Sequence, residues 1–513
     1  MAQLGKLSSA IVLVSGLLVS IGPATRVHAE PRPEPRAPNA PAPNPFLASA
    51  KFAIARIDPA GTGSFPYAVP RGSFHVDLQR APRIVQGPLN PMTYASTSPD
   101  FMWAQSTQGV VYVDVAKGGL RELARAAAPG AKVISPDLHR KVLGQRYVDM
   151  PQIVGMVKEG YALDGTRLGN GVHSLVDREN RFYYGSSSTR TISIFALRDP
   201  TDPAAGIRLI RTADFSPSLR PQETLQGLSM TYDGKLLVLC TSSLWIIDRA
   251  LKDRPQVIRF GGHERIRSGV VVDEFNGIYF ASDKLMRKVV WTGSRLSQNE
   301  VDGAWTSTYD GGPTSPASPA LMGFGDDPDK LVVIVGGSQR TKLLAFWRDR
   351  IPAGFERRAG QIETGSKSQL ATVVSGYGVV AASLPAQRED DKLVDLLAIG
   401  PIHEPPRGVE RFAWDPATDS WRSIWRRGDV VSTGATPTVS TTSNIVFVGG
   451  YSKREGWEVT GLDWNSGRTV HRTIFGQNAL GNGVAALIQF LPDGDLLFNG
   501  IGGQSRVKLG KPR

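Results

Sequence analysis

Residues 269–283 read GVVVDEFNGIYFASD. Val270, Val271 and Val272 form a β-branched run, and Ile278, Tyr279 and Phe280 form a second, aromatic one. Between them lies Asn276-Gly277, a pair that reaches positive φ at little cost and so closes a tight hairpin. The same order of small residue, strand, polar turn and strand returns along the chain. Gly171 to Val176 turns through Asp177-Arg178-Glu179-Asn180 into Phe182-Tyr183-Tyr184, and Gly227 to Met230 turns at Asp233-Gly234 into Leu236 to Leu239. Leu487 to Phe490 turns at Asp493-Gly494 into Leu496-Leu497-Phe498. Weaker copies centre on Met102, Leu331, Val379 and Ile445.

The second strands of these copies are therefore anchored at Met102, Phe182, Leu236, Ile278, Leu331, Val379, Ile445 and Leu496. A four-stranded antiparallel unit with its turns takes ~40 to 50 residues, which matches the spacing of the anchors. The two longest intervals, Met102 to Phe182 and Val379 to Ile445, carry insertions, and helical spacing at Ile153, Met156, Val157 and Tyr161 predicts a helix over 149–163. Outer strands follow at Ile192–Phe195, Leu244–Asp248, Lys288–Trp291 and Val459–Trp464. The expected fold is all-β, a seven- or eight-bladed β-propeller. The last copy ends one strand short, after Leu509, so an N-terminal strand at Ser73–Leu78 or Phe52–Ile57 is expected to complete the final blade and remove its open edge.

The copy at Gly269–Asp283 resembles blades of the NHL, gluconolactonase and strictosidine-synthase-like propellers. Thr436 to Trp464, with its proline-led strand and closing Leu-Asp, is similar to pyrroloquinoline-quinone-type repeats. The first resemblance implies an axial divalent cation such as calcium, held by oxygen ligands, and lactonase-like hydrolysis. The second implies quinone chemistry, but the adjacent-cysteine disulfide of the large quinoprotein dehydrogenases needs two cysteines and this chain has one, Cys240. Pyrroloquinoline quinone is therefore not expected.

The 513 residues carry 59 Lys+Arg against 47 Asp+Glu, a formal charge of +12, with 55 Gly and 36 Pro. A single cysteine excludes an internal disulfide, a Cys-based zinc site and a CxxC redox pair. There is no GxSxG elbow and no Walker A loop, and His263-Glu264 and His403-Glu404 lack the second histidine of a zincin helix. Residues 1–29 read as a signal peptide, with Lys6, an apolar core from Ala10 to Ile21, and Val27-His28-Ala29 before the cleavage point. That core is too short to span a bilayer, which needs ~20 apolar residues. The mature chain is expected to be periplasmic or secreted, monomeric and free of a transmembrane segment. Residues 30–50, dense in proline, read as a disordered linker, and 51–513 as the propeller. The positive charge is dispersed, with no basic stripe, so nucleic acid is not an expected partner; a small-molecule or glycan ligand is, with a protein partner as the alternative.

In a propeller, the loops entering each inner strand and those leaving each second strand share one mouth, while the first hairpin tips form the other. Applied here, the rule brings Asn170, His173, Gln226, Arg267, Thr436 and Asn482 to the mouth from inner strands, and Tyr184, Asp283, Lys284, Tyr451 and Asn499 from second strands. His173, Tyr184 and Arg267 make an acid/base set suited to lyase or hydrolase chemistry on an acidic sugar or lactone. Gln226, Lys284, Thr436 and Tyr451 are candidate substrate contacts, and Asp283, Asn170, Asn482 and Asn499 candidate cation ligands. The tryptophans fall at blade-like intervals and read as wedge packing, and Asp326-Asp327-Pro328-Asp329 as a solvated turn. The rival reading of the whole chain is a non-catalytic scaffold for protein or cell-envelope partners.

Overall fold

A computed structural model describes residues 39–48, 58–85, 92–131, 135–144, 151, 155, 170–261, 264–309, 318–337, 340–365, 370–385, 398–483 and 487–510. They fall within the unit Ala37–Arg513. The proposed signal, the strand at Phe52–Ile57 and all of 149–163 except Pro151 and Gly155 lie outside the described residues.

The strands form eight sheets, each with a run of four strands. All eight second-strand anchors sit where the repeat places them. Met102 lies in Phe101–Ser106, Phe182 in Phe182–Ser186, Leu236 in Leu236–Cys240 and Ile278 in Gly277–Ala281. Leu331 lies in Leu331–Gly336, Val379 in Gly378–Ser383, Ile445 in Ile445–Ser452 and Leu496 in Leu496–Gly500. Numbered in that order as blades 1 to 8, each sheet runs outward from a first strand, and first strands lie side by side from blade 1 to blade 4 and from blade 5 to blade 7. The architecture is thus an eight-bladed propeller. Its blades are held by wedges of large side chains. Trp103, Trp347 and Trp457 are fully buried, and tryptophan N–H groups tie neighbouring blades: Trp291 Nε1 donates to Asp233 Oδ2 at 2.7 Å, and Trp414 Nε1 to Asp329 Oδ2 at 2.7 Å. The Asp326–Asp329 turn is accordingly structural.

Closure differs in detail from the expectation. Blade 8 receives its fourth strand from Arg83–Val85, antiparallel to Gly503–Val507. The segment expected to do this, at Ser73, instead runs as Gly72–His75 along the outside of blade 7, parallel to Thr469–Gly476. A parallel fifth strand leaves a finished blade intact, whereas blade 8 lacked a partner for its third-strand edge, so the antiparallel strand is the one that closes the ring. The described helix, α1 (Pro136–Leu143), also precedes the predicted one, within the same insertion.

The described part of the expected linker is a strap rather than a tether. Asn39 Nδ2 donates to Asp326 and Asp327, Tyr232 Oη donates to the Ala42 carbonyl, Asn44 Nδ2 to that of Met230, and Ala48 N to that of Val176. Residues 59–65 then run along the hub. The inner-strand amides of Val272, Leu321, Val374 and Val439 donate in turn to the carbonyls of Pro59, Ala60, Thr62 and Gly63, at 2.7, 2.8, 2.8 and 3.1 Å. These four amides belong to blades 4, 5, 6 and 7. Inner-strand edges face the hub with unpaired backbone groups, and this arc supplies their acceptors. All the contacts lie at the hairpin-tip ends of the inner strands, so the chain's own N-terminal region occupies that face.

Candidate functional site

The opposite mouth collects residues from every part of the chain. His173 enters on the first strand of blade 2, and its ring donates to the Leu225 carbonyl of blade 3. Burial pushes the imidazole down to about 4. It is therefore neutral at pH 7, with one nitrogen donating and the other an acceptor. The unfolded chain binds a proton on this residue below about 6.5, whereas the folded chain withholds it until about 4. Stability thus falls as pH drops across that interval. His173→Asn is expected to flatten the acid limb of a denaturation-against-pH profile between those values; an unchanged limb would place the histidine in water.

Gln226 is part-exposed, with Nε2 donating to Thr224 Oγ1 at 3.3 Å. Thr436 is part-exposed beside Leu487, where the inner strands of blades 7 and 8 meet. Arg267 is part-exposed, and the carboxylate three residues before it is taken by Arg287, through Nε at 2.7 Å and Nη2 at 2.6 Å. Lys284 is exposed.

Two nominated residues are withdrawn from the mouth by packing. Tyr184 is 2% exposed, its ring meets Phe195 edge-on, and its hydroxyl donates to the Ser106 carbonyl of blade 1 at 2.9 Å. It is an inter-blade tie, not a proton carrier. Tyr451 packs edge-on against Trp457 at 4.9 Å within the core of blade 7.

The proposed cation ligands come from blades 4, 8 and 2. Asp283 stands on blade 4, where its Oδ1 accepts the Arg265 amide at 3.0 Å. Asn482 and Asn499 stand on blade 8, half a turn of an eight-bladed ring away. Asn499 Nδ2 is committed to Leu487 O at 3.0 Å and Gln489 Oε1 at 2.8 Å. Asn170 begins the first strand of blade 2; its side chain lies outside the described residues. Hard cations favour several oxygens with more than one negative charge among them, and Asp283 is the one carboxylate of this set. No step is derived through a cation.

The motif reading named Asn499 and missed its polar companions on the neighbouring blades. Among the described residues, Ser432 Oγ and Thr433 Oγ1 of blade 7, Asn499 Oδ1 of blade 8 and Gln108 Nε2 of blade 1 are buried without hydrogen-bond partners. All four lie at the mouth ends of their blades. Buried polar atoms left unpaired cost about 1–3 kcal/mol each, so such a group marks where a ligand or water supplies the missing bonds.

No protein-family model matches the chain. An uncharacterized protein of Archaeoglobus fulgidus is 27% identical over 331 residues, covering 57% of this chain and 62% of that protein. The chain therefore spans less than two thirds of that relative's length. Among solved structures, BamB from Moraxella catarrhalis is similar with a TM-score of 0.45 and 13% identity, over 84% of this chain and 97% of that one. A quinohemoprotein alcohol dehydrogenase from Pseudomonas putida HK5 has a TM-score of 0.47 and 12% identity, over 90% and 79%. The eight-bladed assignment rests on the chain's own sheets. No helix among the described residues is long and apolar enough to cross a membrane.

Proposed function

We propose that this protein is a secreted or periplasmic binding propeller that takes a small, hydroxyl-rich molecule with a carboxylate or carbonyl group at the mouth opposite the strap. The observation that carries this reading is the set of unpartnered polar atoms on blades 7, 8 and 1. They ask for hydrogen bonds from a polyhydroxylated partner rather than for an apolar surface. His173, Gln226 and Thr436 continue the polar rim, while Arg267 and Lys284 supply positive charge for an acidic group. Binding is favoured over lyase or lactonase chemistry because Tyr184 is buried and bonded, and because His173 and Arg267 stand on blades 2 and 4 rather than side by side.

The signal-like residues 1–29 support secretion. The test is a thermal-shift and calorimetric screen of the purified chain against glucuronate, gluconolactone and a neutral hexose. Glucuronate is expected to bind best, and Arg267→Met to weaken it about tenfold, as loss of a charge-assisted hydrogen bond should. Thr433→Val, which removes an unpartnered hydroxyl, should weaken all three ligands that bind. If no probe binds, or if binding survives both substitutions unchanged, the mouth is not the site.

A further inference from the structure

The side of the mouth formed by blades 2 and 3 carries a finer pattern, centred on the carbonyl of Leu225. This residue opens the first strand of blade 3, Leu225–Met230, which packs beside the first strand of blade 2 (Asn170–Val176) on one side and that of blade 4 (Val271–Val272) on the other. Two donors meet the carbonyl: the ring of His173, and the hydroxyl of Ser187 at 2.9 Å. Ser187 lies in the turn between the second and third strands of blade 2, Phe182–Ser186 and Thr191–Leu197, and like His173 it is part-exposed. A hydroxyl has one proton and a neutral imidazole one N–H. Both are spent on Leu225, so Ser187 and His173 have lone pairs left for a ligand. Gln226, the next residue along, is part-exposed too. Its Nε2 donates to Thr224 Oγ1 at 3.3 Å, which leaves Oε1 as an acceptor with the second N–H of the amide beside it. The carboxylate that precedes this strand, Glu223, is 2% exposed and is already bound by Ser243, by the Arg220 amide at 3.0 Å and by Arg259 at 3.8 Å.

Such a set sorts ligand groups by their protons. A carboxylate brings acceptors alone and would set its lone pairs against those of three side chains. An ammonium brings donors, but Glu223 is committed elsewhere and does not balance its charge. A hydroxyl both gives and takes a hydrogen bond, so it matches acceptors that stand beside a single N–H. On the adjoining blade the demand is reversed, because Arg267 and Lys284 are cationic. We propose that Ser187, His173 and Gln226 read the hydroxyl groups of the ligand while blade 4 takes its carboxylate, so that the ligand class is a sugar acid with hydroxyls on the carbons adjoining the acid group. The inference rests on the mouth being the ligand site, and adds the orientation of the ligand and the side chains that select it.

Calorimetry of the full chain with gluconate and hexanoate tests this, because the two acids share a chain length and a carboxylate and differ in their hydroxyl groups. Glucosamine is the ammonium-bearing control. Gluconate is expected to bind about tenfold tighter, or more, than either of the others, since a site built to bond hydroxyls rejects an analogue that lacks them. Gln226→Met and Ser187→Ala each remove an acceptor from a part-exposed position, and each should weaken gluconate about three- to tenfold and narrow its lead over hexanoate. Arg267→Met should weaken gluconate without narrowing that lead. Equal binding of gluconate and hexanoate, or gluconate binding unchanged in both Gln226→Met and Ser187→Ala, overturns the hydroxyl assignment while leaving the mouth as an acid site. Tighter binding of glucosamine than of gluconate overturns it in favour of an ammonium. If neither gluconate nor glucuronate binds, the mouth itself is not the site and this assignment falls with it.

Discussion

Replacing Arg506 with methionine is expected to cost about 3–5 kcal/mol, a large part of the roughly 5–15 kcal/mol that holds a typical native state. Arg506 is 2% exposed and sits where the ring closes, on the third strand of blade 8. Its Nε donates to Asp495 Oδ2 at 2.7 Å and its Nη2 to Asp493, while Nη1 donates to the carbonyls of Val115 and Gly119 in blade 1, at 2.7 and 2.9 Å. One guanidinium therefore satisfies two carboxylates on its own blade and two backbone carbonyls on the next. Methionine fills much of the same volume, so the loss comes from the groups left behind. Asp495 is 8% exposed and would keep a buried charge without its partner. Urea denaturation followed by tryptophan fluorescence measures the effect. Adding Asp495→Asn to the variant should recover part of the loss, since the uncompensated charge is then gone. A variant as stable as wild type, or a double variant worse than the sum of its parts, would sink the argument that the seam is held by this residue.

The blade repeat was legible because its signal is local. An Asp-Gly or Asn-Gly turn beside an apolar run needs no distant partner to declare itself, and every second strand carries one or the apolar half of one. The tryptophan wedges were legible for the same reason. Tyr184 was misplaced because its rank along the strand puts it near the mouth, while the alternation Phe182-Tyr183-Tyr184 turns its ring to the face covered by blade 1. The strap was hidden. Its bonds to the hub run backbone to backbone, so no periodicity of side chains is required, and proline-rich flanks argue against strand structure. Its visible marks are two glycines, Gly61 and Gly63, at φ values of 67° and 71°.

Those glycines give the strap its own test. A Cβ at Gly61 would lie 2.7 Å from Val271 Cγ1 and 3.0 Å from the Pro319 carbonyl, both on the inner ring, and the left-handed backbone there disfavours a β-branched residue. Gly61→Val is expected to cost about 2–5 kcal/mol, from roughly 1–2 kcal/mol of backbone strain and about 1–3 kcal/mol of overpacking. The chain can relieve both by lifting the arc away from blades 4 and 5. Asp58 resists, because its carboxylate accepts from the amides of Thr62 and Gly63 and from Thr62 Oγ1, which shapes the turn from one end. If the arc lifts, the amides of Val272, Leu321 and Val374 lose their acceptors, while the rest of each blade keeps its ladders. Hydrogen exchange should therefore quicken at these inner-strand amides and stay slow at the second-strand positions Val332 and Val380. Equal quickening at both would mean that the ring opens as one unit. Unchanged protection at Leu321 and Val374 would mean that the strap does not hold the hub.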